Sequence, residues 1–323
     1  MPEQTAPLLT LEGVKTYYPI RKGIFSRNAG FVKAVDGVDL TICPGETVGL
    51  VGESGCGKST VGRSIIRLEK TSGGRILFEG EDITRLSQRQ FRKLRPNIQM
   101  VFQDPYSSLN PRRTIGGMLA EVLRAHHIVP EREIDHEIDR LLGLVGMPVR
   151  SRHSYPHEFS GGQRQRISIV RALALRPKLI ICDEAVSALD VSIQAQILNL
   201  LKELQAELGL AYLFISHGLG PVKYISDRIA VMYLGKIVET GTREELFSDP
   251  RHPYTKALLS CYPIPDPHKR DNPKIVLSGN VPSPVAPPSG CRFHQRCPNA
   301  RPECAEREPQ LRGCGHLAAC HFV

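Results

Sequence analysis

The chain has 323 residues, 41% hydrophobic and 23% charged, with no tryptophan. These values exclude a disordered chain, and the length exceeds one ordinary compact core, so one large domain plus an appendage is expected. Lys plus Arg number 42 against 33 Asp plus Glu, a formal net charge of +9. That excess suits an anionic partner (nucleotide, nucleic acid or an acidic membrane face) without choosing among them.

At the start, "MPEQTAPLLTLEGV" lacks the basic segment and apolar core of a secretory signal, and no run of 18 apolar residues occurs anywhere. The expectation is a protein that stays in the cytosol or docks on something there. In a reducing compartment its nine cysteines read as free thiols or metal ligands rather than disulfides. Cys43, Cys56, Cys182 and Cys261 are scattered, whereas Cys291, Cys297, Cys304, Cys314 and Cys320 crowd the end of the chain.

"ETVGLV", Glu46 to Val51, reads as a buried strand. It runs into a glycine-rich turn and then a helix, "KSTVGRSIIRL". "RILFEG" and "IQMVFQ" read as further strands. From Asp104 to about Ser154 the texture becomes helical, with Ile134, Ile138, Leu141, Leu142 and Val145 on one face. "KLIICDE" and "AYLFISH" return as strands around the helix "AQILNLLKELQAEL", and "RIAVMYLGKIVETG" reads as a hairpin turning at Leu234-Gly235. Strand–helix–strand alternation implies an α/β fold with a mostly parallel sheet and helices on both sides. From Pro263 proline becomes frequent, in "YPIPDP" and "VPSPVAPPSG", which reads as a linker or extended segment ahead of the cysteine-rich tail.

The turn after the first strand is "GESGCGKS": Gly52, Glu53, Ser54, Gly55, Cys56, Gly57, Lys58 and Ser59, followed by Thr60. It fits the phosphate-loop pattern. Its glycines let backbone N–H groups turn toward phosphate oxygens, Lys58 adds a point charge, the Ser59 hydroxyl can ligate Mg²⁺, and the following helix points its positive end at the anion. "LIICDEAVSALD" supplies acids: Asp183 ends a strand and is suited to hold Mg²⁺ through water, and Glu184 is placed to polarise an attacking water. Taken alone, such an Asp-Glu pair is usually a solvated strand end, and His217 in "FISHG" and Gln103 in "VFQDP" are unremarkable.

Together with "FSGGQRQR", these motifs stand in the order and approximate spacing of the ABC transporter ATP-binding subunits, which residues 8 to 245 resemble. "FSGGQ" is the most specific of them. The resemblance implies an ABC-type phosphate-loop ATPase core with a mixed sheet and a helical subdomain at about 104–172, within residues 1–262. It implies head-to-tail pairing of two ATPase subunits, with Ser160, Gly161, Gly162 and Gln163 of one capping the γ-phosphate of ATP on the other; a plain helix cap is the alternative for this turn. It further implies adenine stacking by Tyr18, with Tyr17 as rival, Mg²⁺ held by Ser59 and Gln103 with Asp183 behind, Glu184 as general base, His217 at the γ-phosphate, and Asp190 along the dimer interface. The family usually has Asp after that histidine. Here it is Gly218, which is expected to loosen the turn.

"CDEAVSALDVSIQAQILNLL", "PRHPYTKALLS" and "LSGNVPSPVAPPSGCRFHQRCPNARPEC" narrow the resemblance to the oligopeptide/dipeptide importer ATPases over nearly the whole chain. This implies peptide import with a second ATPase subunit, two membrane permease subunits and an extracytoplasmic binding protein, at the cytoplasmic face of the membrane. Importers of nickel, glutathione or opines are the nearest alternatives. A soluble ABC ATPase acting on nucleic acid is a different class; the chain has one set of ATPase motifs and no recognisable nucleic-acid module, so no nucleic-acid partner is expected. Residues 263–323 are the Pro-rich linker and Cys-rich C-terminal region. The tail's cysteine spacing is wider than the CxxC pairs usual for zinc, and zinc or unligated thiols stay open on spacing. The family's tail implies a 4Fe–4S cluster on Cys291, Cys297, Cys304 and Cys320, with Cys314 free, serving the tail's fold or redox sensing rather than hydrolysis.

Overall fold

The computed structural model describes residues 6–22, 27–262 and 275–323. The "PIPDP" part of the expected linker, from residue 263, lies outside these residues, and "VPSPVAPPSG" forms neither helix nor strand. The chain divides into two compact units, neither of them a continuous stretch.

The first unit is built mainly from Ile42–Thr47 and Arg85–Ile215. Strands Ile98–Val101, Leu179–Asp183 and Ala211–Ser216 pair in parallel, with Leu179 opposite both Ile98 and Ala211. Every residue of Leu179–Asp183 is buried, which is why it reads as an unbroken apolar run rather than an alternating one. Helix Val191–Leu208 lies between the last two strands in sequence, as its periodicity predicts. The helical insert holds helices Ile115–Ala125 and Ile134–Leu144, and all five residues of the predicted apolar face are buried. Thr114 accepts from Gly117 N–H at 3.2 Å and so starts the first of these helices.

The second unit comprises Pro7–Thr41, Val48–Thr84 and Ser216–Val323. Strands Leu9–Lys22, Arg27–Ile42, Gly73–Phe78 and Glu81–Asp82 make a four-stranded sheet, with Leu9–Lys22 antiparallel to Gly73–Phe78. The strand into the phosphate loop, Thr47–Val51, runs parallel to Arg228–Tyr233, which turns back into Lys236–Thr242. Leu234 and Gly235 take φ of +43° and +84°, the left-handed pair that a two-residue hairpin needs. The tail adds a strand, Leu317–Ala318, antiparallel to Lys236–Thr242.

The long N-terminal strands are the element that pattern reading missed. Leu9, Leu11, Val14 and Thr16 are buried, so the period of two slips by one residue. The pairing register shifts between Glu12 and Lys15, with Gly13 at φ +54°. A bulge of this kind moves the side chains after it to the other phase and erases the alternation. Among the described residues, no helix is long and apolar enough to cross a membrane.

Candidate functional site

The phosphate loop lies in the second unit, between strand Thr47–Val51 and helix Lys58–Ile65. The helix starts at Gly57, φ +106°, with no side-chain cap. Gly52 and Gly57 are required sterically: a Cβ would come within 2.1 Å of Met232 O at the first and 2.0 Å of Ala34 O at the second. Lys58 is 4% exposed. Its Nζ donates to Gly52 O at 2.8 Å and Glu53 O at 3.0 Å, so the ammonium is held inside the curl of the loop. Ser54 and Gly55 are exposed, and Ser59 and Thr60 are half-buried.

Tyr17 and Tyr18, neighbours on one strand, point to opposite faces and take different partners. The Tyr17 hydroxyl donates to Asp36, and burial together with that bond pushes its pKa up to about 12. Burial also raises Tyr18, whose polar neighbours are Thr60 and Glu69. Tyr18 is therefore the one beside the phosphate loop's helix. His217, exposed, follows strand Ala211–Ser216. Gly218 takes φ −88° and ψ 124°, a conformation open to any residue. Its N–H donates to Ser216 Oγ at 3.0 Å, and that bond rather than glycine freedom shapes the turn.

Gln103, Asp183, Glu184 and the "SGGQ" turn lie in the first unit. Asp183 is buried at the strand end. Glu184 sits at φ +48°, a strained setting for a side-chain-bearing residue that its surroundings must hold. They do so at both ends: its N–H donates to Ile215 O at 2.9 Å, and its carbonyl accepts from Ser187 N–H at 3.1 Å and Ser187 Oγ at 2.9 Å. Gln103 Nε2 donates to Glu184 Oε2 at 2.8 Å. Helix Gly161–Leu173 opens with a capping box: Ser160 Oγ accepts from Gln163 N–H at 3.4 Å, and Gln163 Oε1 accepts from Ser160 N–H at 3.0 Å. The helix cap considered for this turn is therefore present. It explains Ser160 and Gln163 but not both glycines. At Gly162 a Cβ would lie 2.5 Å from Ile193 Cγ2, which demands glycine; at Gly161 it would meet only Leu189 Cδ2, at 3.6 Å. Asp190 is exposed at the start of helix Val191–Leu208.

In the tail, Cys291, Cys297, Cys304 and Cys320 line one cavity of ≈ 150 Å³, and the exposed Cys314 does not. Burial pushes the Cys291 thiol up to about 11, with Cys304, Cys297 and Cys320 adding to it, and burial raises Cys297 too. Zinc needs thiolates converging on one ion, whereas the expected 4Fe–4S cluster needs four thiolates spaced around it, one on each iron. Among the described residues no group of three or more His, Cys, Asp or Glu is arranged to hold a metal ion. The four cysteines thus line one cavity, with Cys304 buried and Cys291, Cys297 and Cys320 half-buried, but they are not arranged to hold a single metal ion.

Several residues around the site carry no motif. Arg292 pairs with Asp36 and donates to Leu234 O. Arg296 pairs with Glu53. Phe293 packs edge-on against Tyr233 at 5.2 Å and close to Tyr254 at 5.4 Å. Buried Glu239 accepts from Arg251 N–H, His252 N–H and the His316 ring at 2.7, 2.9 and 2.7 Å. The only signal for these in the sequence is that "CRFHQRC" mixes basic and aromatic residues between its cysteines.

Residues 35–187 match the model of the ABC transporter family, and residues 238–304 match that of the oligopeptide/dipeptide transporter C-terminal region. The oligopeptide transport ATP-binding protein AppF of Bacillus subtilis is 55% identical over 98% of this chain and 97% of its own. OppF of Salmonella typhimurium is 51% identical over the same shares. Among solved structures, cbiO1 from Clostridium perfringens, part of the ABC transporter complex cbiONQ, aligns with TM-score 0.65 and 29% identity over 75% of this chain and 91% of its own. An ATP-binding cassette in a dimeric post-hydrolysis state with ADP and Pi aligns with TM-score 0.63 and 27% identity over 73% and 98%.

Proposed function

Because this chain belongs to the ATP-binding subunits of the oligopeptide ABC importers, we propose a division of labour among its residues in ATP hydrolysis. The chain is an ATPase of that family. In this reading Gly52, Glu53, Ser54, Gly55, Cys56, Gly57, Lys58, Ser59 and Thr60 receive the phosphates, and Tyr18 stacks on adenine. Ser59 and Gln103 hold Mg²⁺ with Asp183 behind them. The ion, when bound, neutralises charge on the phosphate oxygens. Glu184 takes a proton from water as the water oxygen bonds to the γ-phosphorus and the bond to the β-phosphate oxygen breaks. Lys58 and the N-terminus of its helix stabilise the charge left on the phosphates, and His217 orients the γ-phosphate.

The observation that most favours this reading is the phosphate loop itself. Two of its glycines have backbone on the side where a Cβ would stand, and no side chain caps the helix that follows. A loop so built presents main chain and Lys58 to a ligand of opposite charge. Isothermal titration of Mg-ATP into the purified chain and its Lys58→Ala variant is the direct test: binding that survives Lys58→Ala overturns it.

The "SGGQ" turn acts in trans, on ATP held by a second ATPase subunit. Gly161 supports this, since among the described residues a Cβ there would meet only Leu189 Cδ2, at 3.6 Å. The partners are a related ATPase, two membrane permease subunits and an extracytoplasmic binding protein, and the chain works at the cytoplasmic face of the membrane. Co-sedimentation with membranes that carry the permeases tests this. Peptide is the cargo class, as the relatives' names indicate, rather than nickel, glutathione or opines. For the tail, the 4Fe–4S reading on Cys291, Cys297, Cys304 and Cys320 stands as a proposal supported by their shared cavity. No step of hydrolysis passes through it. Anaerobically purified protein is then brown, with about four irons per chain, whereas colourless protein with one zinc overturns the cluster.

A further inference from the structure

Glu53 puts a carboxylate into a loop that has to receive a polyanion. Its backbone is held on both sides: its N–H donates to Tyr254 Oη at 2.9 Å, and its carbonyl accepts from Lys58 Nζ at 3.0 Å. Its carboxylate is held from the far end of the chain. Arg296 Nη1 donates to Oε2 at 2.8 Å and Nη2 to Oε1 at 3.1 Å, across 243 residues. The side chains of Arg296 and Glu53 are 9% and 25% exposed, so solvent screens the pair less than a surface ion pair. The guanidinium also lies 5.9 Å from the centre of the Tyr233 ring, and Tyr233 packs on Phe293 and Tyr254.

We propose that Arg296 is a positioning residue for ATP: it cancels the Glu53 charge that would otherwise repel the phosphates, and its fork fixes the first turn of the loop. The inference rests on the reading of Gly52 to Thr60 as the ATP phosphate loop. A planar fork on both oxygens of a carboxylate sets orientation as well as charge. Without the arginine, the carboxylate stays half-buried beside the incoming triphosphate, and like charges at that range disfavour binding. The cysteine-rich tail thereby becomes part of the nucleotide site, through a residue adjacent to Cys297.

If Arg296 merely pins the tail, removing Glu53 as well cannot help. If it cancels charge, removing Glu53 must restore affinity, and this difference of sign is the test. The full chain is purified as wild type, Arg296→Met, Glu53→Gln/Arg296→Met and Lys58→Ala. Mg-ATP affinity, KM, kcat and thermal midpoint are measured for each. Arg296→Met is expected to weaken ATP binding and raise KM by about tenfold with kcat within about twofold. The double variant is expected to regain most of that loss. Wild-type affinity in Arg296→Met, or a double variant as weak as the single, overturns the proposal. Should Arg296→Met not fold, Arg296→Gln takes its place in the same comparison. If Lys58→Ala keeps wild-type affinity, the phosphate-loop reading fails first; if it loses binding while the Arg296 variants do not, only the present inference fails.

Discussion

Gln103 Nε2 and Glu184 Oε2 stand 2.8 Å apart, joined by a hydrogen bond across 81 residues of sequence. Each follows one of two parallel neighbouring strands, Ile98–Val101 and Leu179–Asp183, whose register pairs Val101 with Cys182. The sheet therefore delivers both side chains to the same strand end. The amide fixes the direction of a carboxylate whose backbone is already strained into place.

Glu184→Gln keeps the shape of that arrangement and removes the base. Mg-ATP binding is expected to persist while the single-turnover rate falls by about 10²–10⁴-fold. Phosphate release in single-turnover assays measures this, and near-wild-type turnover would sink the assignment. Gln103→Ala leaves the base in place but unoriented and also removes the proposed Mg²⁺ ligand, so kcat is expected to fall less than in Glu184→Gln at saturating Mg²⁺ while the Mg²⁺ requirement rises.

The two glycines of the signature turn should respond in opposite ways. Gly162→Ala drives a Cβ to 2.5 Å from Ile193 Cγ2, so it should lower the thermal midpoint of the isolated chain. Gly161→Ala has room inside the chain and should leave the midpoint equal or raised, by about 0.5–1 kcal/mol of helix stability. It should nonetheless depress ATPase activity in the assembled transporter if this backbone meets the partner's ATP. Ser160→Arg should likewise spare ATP binding by the isolated chain and abolish transport-coupled hydrolysis. Loss of monomer ATP binding in either variant would contradict action in trans.

His252 gives a pH dependence with a definite sign. Burial lowers its pKa from 6.5 to about 4, and its neutral Nδ1 accepts from Tyr254 N–H at 3.1 Å, capping helix Pro253–Ser260. The backbone N–H of His252 donates to the buried Glu239 side chain, and the Phe293 ring lies 5.6 Å from the imidazole. A group whose folded pKa is depressed gives stability that is present above its unfolded pKa. That stability is lost as pH falls toward the folded value. The midpoint of denaturant unfolding should therefore drop between about pH 6.5 and about pH 4, by on the order of 3 kcal/mol for this group. His252→Asn keeps a capping side chain without the titration, so its profile should be flatter across this window. An equally steep profile would place the dependence elsewhere.

Glu239 is fully buried and accepts three hydrogen bonds, one of them from His316 in the tail. Glu239→Ala strands two backbone donors and the imidazole, and each buried donor left without a partner costs about 1–3 kcal/mol. Calorimetry should show a large fall in the thermal midpoint. Limited proteolysis should then cut the tail first, because its strand Leu317–Ala318 pairs beside this residue. A midpoint within a degree or two of wild type would refute the clamp.

What the sequence determined by itself is what local chemistry encodes. The glycine spacing of Gly52 to Ser59 specifies a backbone curl with a lysine inside it. The apolar run ending in Asp183 specifies a buried strand, Leu234-Gly235 a tight hairpin, and Ile134 to Val145 a helix with one buried face, and each formed where its pattern predicts. The first of the long N-terminal strands, Leu9–Lys22, was illegible because a bulge at Gly13 shifts its alternation and because its pairing partner Gly73–Phe78 lies far along the chain. Tertiary structure alone decided which tyrosine stands beside the phosphate loop, since Tyr17 is occupied by Asp36. It also brought four cysteines to one cavity and left Cys314 outside, and it set Arg296 on Glu53. Periodicity records how a residue relates to its neighbours over a few positions. An ion pair spanning 243 residues leaves no such trace, because its partners meet only when strands far apart in sequence have paired and buried them together.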